Sequence, residues 1–143
     1  MSKEKNDLSV NQELALTTLE SGYQEASIML NDVDKLEELF QKVEQKLKII
    51  PKIGDKLAVA ATMASMVKSY IKKEYTQPPV GTTIAVISAL AYLVSPVDII
   101  PDTVPGFGHI DDAAIIMTCF KLAESDINEF IVWRRENGLE IYP

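Results

Sequence analysis

The amino-acid sequence predicts an all-α protein: a compact bundle of five to seven helices with a helical hairpin at its N-terminus. Apolar residues recur at the 3-4 spacing of helices along most of the chain, and no segment shows the strict alternation that is typical of strands. Proline and glycine mark the boundaries between the helical segments. The chain has 143 residues, of which 47% are hydrophobic, and this length is sufficient for one hydrophobic core.

The first 50 residues predict a hairpin of two antiparallel helices joined by a short turn. The first helix, from about Gln12 to Leu30, has a single apolar stripe: Leu16, Leu19, Tyr23, Ala26 and Leu30. Asn31 is the predicted cap of the second helix, which runs to Ile50 on an equally regular stripe: Val33, Leu36, Phe40, Val43, Leu47 and Ile50. We expect the second helix to pack on the core, and the first to be more exposed and more dispensable.

Residues 51–137 predict a second unit, which begins where Pro51 ends the hairpin. Gly54 opens a helix that runs to about Tyr75. Four small residues on this helix would let another helix approach closely: Ala60, Ala61, Ala64 and Ser65.

The segment from Thr82 to Val94 is apolar on all sides, which predicts a buried helix rather than a surface one. We expect it to be the most buried helix, packed against residues 57–71 and 111–123. Residues 111–123 predict a further apolar helix, after which Ser125 caps a last one. Asn137 and Gly138 are a natural stop for that last helix.

Charge and cysteine content exclude several classes of protein. The net charge of −7 makes this an acidic protein and argues against nucleic-acid binding, which needs clustered Lys and Arg. Cys119 is the one cysteine, so no disulfide can form within the chain. Residues 1–7 are polar and lack the apolar region of a secretory signal. The sequence therefore predicts a cytoplasmic location, with the inner face of the membrane as the alternative.

Four aspartates lie in the most apolar part of the chain: Asp98, Asp102, Asp111 and Asp112. Between and around them are residues typical of helix starts and turns: Ser95, Pro96, Pro101, Pro105, Gly106 and Gly108. One interpretation makes all four carboxylates caps of helices and turns. The alternative is that they converge on Mg²⁺ or Ca²⁺, which prefer such oxygen ligands. The first interpretation accounts for every aspartate, so no cofactor is required.

The same segment resembles the signature of the bacterial YkvA-like family, a domain of unknown function (1232). Residues 89–102 read ALAYLVSPVDIIPD and residues 104–112 read VPGFGHIDD. The family pattern is an apolar helix, a Ser-Pro-x-Asp turn closed by Pro-Asp, and then Pro-x-x-Gly followed by a pair of aspartates. The resemblance covers about residues 46–130. It implies an all-α fold, no known catalytic activity and, in some relatives, an association with membranes.

No catalytic residues are assigned, and whether the protein is an enzyme is left open, with a non-catalytic protein favoured. The single histidine, His109, lies in a turn, and Cys119 lies in an apolar run typical of a core thiol. We predict a small interaction protein of the adaptor, immunity or inhibitor type, with an unidentified protein partner. Homo-oligomers are compatible with this prediction. One alternative is peripheral membrane association through helices 82–94 and 111–123; the other is divalent-metal binding by the aspartates.

Overall fold

The computed structural model describes residues 13–49, 54–94 and 112–138. Within these ranges the chain forms six helices and no strand, so the prediction of an all-α bundle with five to seven helices is confirmed. The helices are α1 (13–21), α2 (Tyr23–Leu30), α3 (Val33–Ile49), α4 (Gly54–Ile71), α5 (Val80–Val94) and α6 (Asp112–Glu136).

The apolar helix α5 is the centre of the bundle. Every residue from Ala85 to Leu93 is buried, and α5 contacts α2, α3, α4 and α6. A helix that is apolar on all sides loses water-exposed surface only if other helices cover it all round, and here four do so. The prediction that this segment is the most buried helix, packed against the helices before and after it, is confirmed.

The expectation that the first helix is the more exposed one is wrong, while its being the more dispensable one stays a prediction. Ala15, Leu19 and Ala26 are at most 1% exposed, and α2 packs on α5. The predicted single helix is also divided at Gly22, where the carbonyl of Leu19 accepts hydrogen bonds from the Gly22 amide (3.2 Å) and from Ser88 Oγ (2.7 Å). The buried Ser88 hydroxyl on α5 therefore joins the first helical segment directly to the core.

The turn between α2 and α3 differs from the prediction in its cap. Asp32, rather than Asn31, caps α3, because its Oδ1 accepts a hydrogen bond from the Lys35 amide at 3.2 Å. The Asn31 side chain instead donates to the carbonyl of Ser27 at 3.3 Å, at the end of α2. The cap of α3 is therefore one residue later than predicted, and Asn31 belongs to the end of α2 instead.

Helix α4 ends at Ile71, earlier than the predicted Tyr75, because Lys73 adopts a left-handed conformation with φ 62°. The Glu74 amide then donates to the carbonyl of Ser69 (2.9 Å) and the Lys73 amide to that of Tyr70 (3.1 Å), which is a Schellman motif. The chain turns sharply here, and Tyr75 enters the core beside Phe130 and Trp133: Tyr75–Phe130 5.3 Å and Tyr75–Trp133 5.0 Å between ring centroids.

The predicted helix boundary at Ser125 is wrong, because α6 runs without interruption from Asp112 to Glu136. No proline or glycine lies between these residues, and the exposed Ser125 is accommodated on the solvent face. The predicted stop is confirmed: Gly138 has φ 70°, and its amide donates to the carbonyl of Arg135 at 3.2 Å.

One hydrophobic core receives side chains from all six helices. Leu19 from α1, Leu36 from α3, Met63 from α4 and Ile127 from α6 are each at most 1% exposed. The proposed division of the chain near residue 50 stays a prediction, but the apolar contacts run across it.

Candidate functional site

The aspartate motif lies almost entirely outside the described residues. Asp98, Asp102 and Asp111 fall there, together with the turn residues Ser95, Pro96, Pro101, Pro105, Gly106 and Gly108. Asp112 is the first residue of α6, and its side chain is likewise outside the description. Both interpretations of the four carboxylates, as caps or as ligands of Mg²⁺ or Ca²⁺, therefore stay predictions.

The structure does describe the two helices that flank this motif. Helices α5 and α6 pack against each other, and Thr82 Oγ1 near the start of α5 donates to Asp126 Oδ2 at 2.9 Å in the middle of α6. At the other end of α5, the Lys46 ammonium of α3 donates to the carbonyl of Leu93 at 2.5 Å. A cation at a helix C-terminus interacts favourably with the helix dipole and an unpaired carbonyl. Helix α5 has no basic residue in its own last turn, so α3 supplies one.

Nucleophilic chemistry is not favoured at Cys119. Its side chain is fully buried in α6, and burial raises the pKa of the thiol to about 12. A thiol with this pKa is neutral and inert at physiological pH. His109 lies outside the described residues. Within the described ranges, no three His, Cys, Asp or Glu side chains come together in a way that would hold a metal ion.

Among the described residues, a surface groove lies between α3 and α4, and we call it the α3–α4 groove. It consists of two cavities in line, of about 360 Å³ and about 420 Å³. The first is lined by Leu36, Phe40 and Ile71, and the second by Val43, Leu47 and the small residues Ala61, Ala64 and Ser65. Volumes of this size are in the range of ordinary ligand pockets.

An ion pair crosses the groove where the two cavities meet. Lys68 Nζ on α4 lies 3.0 Å from Glu44 Oε1 on α3, and both side chains line both cavities. The same ammonium lies 5.4 Å from the centroid of the Phe40 ring, within cation–π distance. Both side chains are substantially solvent-exposed, at 37% and 60%, so the pair contributes little to stability and rearranges at low cost.

The sequence predicts the components of this groove but not the groove itself. Its small residues on α4 indicate a place where another helix approaches closely, and its α3 stripe indicates an apolar face. In the structure, Ala60 is fully buried, whereas Ala61, Ala64 and Ser65 line the groove. The signal that was missed is the spacing of Ala61, Ser65, Lys68 and Lys72, which places small and basic residues on one face of α4.

The membrane alternative named the apolar helices 82–94 and 111–123. Across the three described ranges, no helix combines the length and the apolarity that crossing a bilayer requires. The side chains from Ala85 to Leu93 in α5 and those of Ile115, Ile116 and Ala123 in α6 are buried in the bundle, whereas Val80 and Leu122 are exposed.

Comparison with known proteins places the chain in a family. A family model described as "Protein of unknown function (DUF1232)" matches residues 82–118, which run from α5 through the aspartate motif into α6. The chain is also 33% identical over 73 residues to a protein of Bacillus subtilis (strain 168) named "Uncharacterized membrane protein YkvA". This match covers 51% of the chain and 69% of that relative. No solved structure matches the chain significantly.

The family model covers a narrower part of the chain than the resemblance over residues 46–130 suggested, but it contains the whole aspartate motif. The match to the Bacillus protein extends over about twice that length. The recognition is therefore confirmed: this chain belongs to the YkvA-like DUF1232 family.

Proposed function

We propose that this chain is a small non-catalytic helical protein that acts by binding a protein partner, in the manner of an adaptor, immunity protein or inhibitor. The α3–α4 groove is the binding surface in this proposal. The observation that carries it is the pair of aligned cavities with apolar walls, which no described helix of the bundle fills. Apolar grooves between helices are a recurring site for partner segments.

Two further observations support a binding rather than a catalytic function. The groove is lined by apolar, small and charged side chains, and by no His, Cys, Ser–His pair or metal-ligating group among the described residues. The only cysteine is buried and neutral. A contact surface needs no nucleophile, whereas an enzyme needs groups poised to react.

Photo-crosslinking tests this function. A benzoylphenylalanine placed at Ser65 in the groove is expected to crosslink to a protein partner in the cells of origin, while the same group at the exposed Lys42 on α3 is not. The partner is then purified and mixed with the purified chain. We expect stoichiometric binding that Ser65→Trp abolishes by filling the groove and that Lys42→Trp leaves unchanged.

Two results would contradict the protein-binding function. One is binding of the purified partner that Ser65→Trp does not weaken, although circular dichroism shows the variant to be folded. The other is crosslinking from Ser65 to lipid alone. The first result would remove the groove as the binding surface, and the second would make lipid, rather than a protein, the ligand of the groove.

Peripheral membrane association is the second candidate, favoured by the printed name of the Bacillus relative as a membrane protein. In this chain it is supported by three lysines near the end of α4, Lys68, Lys72 and Lys73, close in sequence and of the same charge. Clustered lysines interact favourably with anionic headgroups. The buried state of α5 argues against insertion of the apolar helices themselves.

Vesicle flotation separates the two candidates. The protein-binding function predicts that the chain does not float with phosphatidylcholine vesicles and does not float with phosphatidylglycerol vesicles. Flotation with the anionic vesicles, weakened by salt and by the double substitution Lys72→Glu and Lys73→Glu, would favour the membrane candidate instead.

A further inference from the structure

The charges along the α3–α4 groove differ from those of the whole chain. The chain has a net charge of −7, whereas the charged residues that line the groove are three cations and two anions: Lys48, Lys68, Lys72, Glu37 and Glu44. Lys68 and Glu44 neutralise each other. Among the described residues, Lys48 and Lys72 have no ion-pair partner, and neither has Glu37, which lines the same cavity as Lys72. The groove therefore has an excess of one positive charge, at the end where Lys48 lies.

The two unpaired lysines lie at opposite ends of the groove and on opposite walls. Lys72 directly follows the last residue of α4, at the end lined by Val33, and Lys48 is on α3 at the end lined by Ala61. From position 61 to position 72 an α-helix rises about 17 Å, and from 33 to 48 about 22 Å. The groove is therefore as long as a helix of about three to four turns.

We infer that the groove binds an amphipathic helix of about three to four turns, with two acidic residues about twelve or thirteen positions apart on opposite flanks of its apolar face. Such residues are separated by about 18–20 Å along the helix axis and by about 120–140° around it. Lys48 and Lys72 likewise lie near opposite ends of the groove and on opposite walls. The inference rests on the proposed function and specifies the partner's chemistry.

The form of the groove favours a helix over a lipid. The Lys68–Glu44 pair crosses the groove between the two cavities, so an acyl chain would have to displace two charged side chains to occupy both. A bound helix can place successive side chains of one face on either side of the Lys68–Glu44 pair. Packing the side-chain ridges of one helix into the groove between others is also the usual way in which helices associate. A bilayer surface has no ridge that would fill a concave groove.

Two model peptides of about 18 residues test the inference directly. Both have a leucine-rich face, and one has glutamate and the other lysine at the two flanking positions. Fluorescence anisotropy of the labelled peptides with the full chain is expected to show about tenfold tighter binding of the glutamate peptide, with a preference that declines as salt rises. The double variant Lys48→Glu plus Lys72→Glu is expected to reverse the preference. Its matched control, Lys35→Glu plus Lys42→Glu, changes two exposed α3 lysines outside the groove and is expected to keep it.

Equal affinity of the two peptides, or a preference that the control pair reverses as well as the groove pair, would overturn the inference. Binding that Ser65→Trp does not weaken would also overturn it. A protein partner that crosslinks from Ser65, but whose affinity is the same for the Lys48→Glu plus Lys72→Glu variant, would support the proposed function. It would contradict only the inference that the partner is an acidic helix. If anionic vesicles, rather than either peptide, compete for the groove, the ligand is lipid and the inference fails.

Discussion

Three titratable side chains in and beside the core, those of Cys119, Tyr23 and Tyr75, couple the stability of this protein to alkaline pH, because burial raises the pKa of each. Burial raises the pKa of the Cys119 thiol from 9.0 to about 12. The pKa of Tyr23 is raised from 10.0 to about 12, chiefly by burial and further by nearby Cys119 and Glu20. These groups keep their protons in the folded state at pH values where the unfolded chain releases them.

These groups therefore do not lower the free energy of unfolding below about pH 9. As the pH rises from there toward about 12, the unfolded chain releases protons that the folded state keeps, so the free energy of unfolding is expected to fall. Urea unfolding of the wild type at a series of pH values measures this fall. Cys119→Ala is expected to reduce the slope in this window, because one of the proton-linked groups is absent. Ile116→Val, a neighbouring core truncation that does not titrate, serves as the control. An unchanged slope in Cys119→Ala would contradict the assignment.

At the scale of a helix, the end of α4 depends on an unfavourable conformation of one lysine. Lys73 has φ 62°, where the side chain of an L-residue is crowded by the following carbonyl. Glycine avoids this crowding, although it costs more chain entropy on folding. The hydrogen bonds of the motif involve backbone atoms only, so a substitution at position 73 leaves them in place.

Lys73→Gly is expected to raise the free energy of unfolding by about 0.5–1 kcal/mol, since the strain removed exceeds the entropy lost. Lys72→Gly, one residue earlier and with negative φ, is the matched control. It gains no relief of strain and is expected to lower stability by up to about 1 kcal/mol. Thermal unfolding of both variants checks the prediction, and a loss of stability in Lys73→Gly would contradict it.

Some element boundaries were predictable from local sequence and others were not. Gly138 ends α6 as expected, because a left-handed glycine after a helix is a strong local signal. Ser125 gave a false cap signal, because serine also tolerates a solvent-facing position inside a helix. Lys73 gave no signal at all. A lysine has no intrinsic preference for positive φ, so the end of α4 is imposed by the burial of Tyr75 that follows it.

At the scale of the whole molecule, one core connects helices that the sequence assigned to two units. Leu19 in α1 is buried, and its carbonyl accepts the Ser88 hydroxyl of α5. If the six helices unfold as one unit, a substitution that destabilises any of them makes the backbone amides of all six exchange hydrogen faster.

Leu19→Ala is expected to cost about 2–5 kcal/mol and to accelerate hydrogen exchange equally in the most protected amides of α2, α4, α5 and α6. Leu122→Ala is the control, because the same atoms are removed from a side chain that is 56% exposed. It is expected to have little effect on exchange. Faster exchange confined to α1 and α2 would instead support the predicted division of the chain near residue 50.

The sequence by itself determined the class of fold, the central position of α5 and the family. Helical periodicity and an apolar segment are local properties, and a helix apolar on all sides has no stable place except inside a bundle. The aspartate motif identified the family, although its carboxylates lie almost entirely outside the described residues.

The tertiary structure alone decided which helix faces remain uncovered. The stripes of α3 and α4 read as core-facing surfaces in the sequence, but the two helices lie far enough apart at their outer edges to leave the α3–α4 groove. Likewise, the first helix reads as an exposed amphipathic segment, yet in the structure it packs on α5 and covers part of it. Amphipathicity shows that a face must be covered, whereas the identity of its cover depends on contacts between residues distant in the chain, which periodicity does not encode.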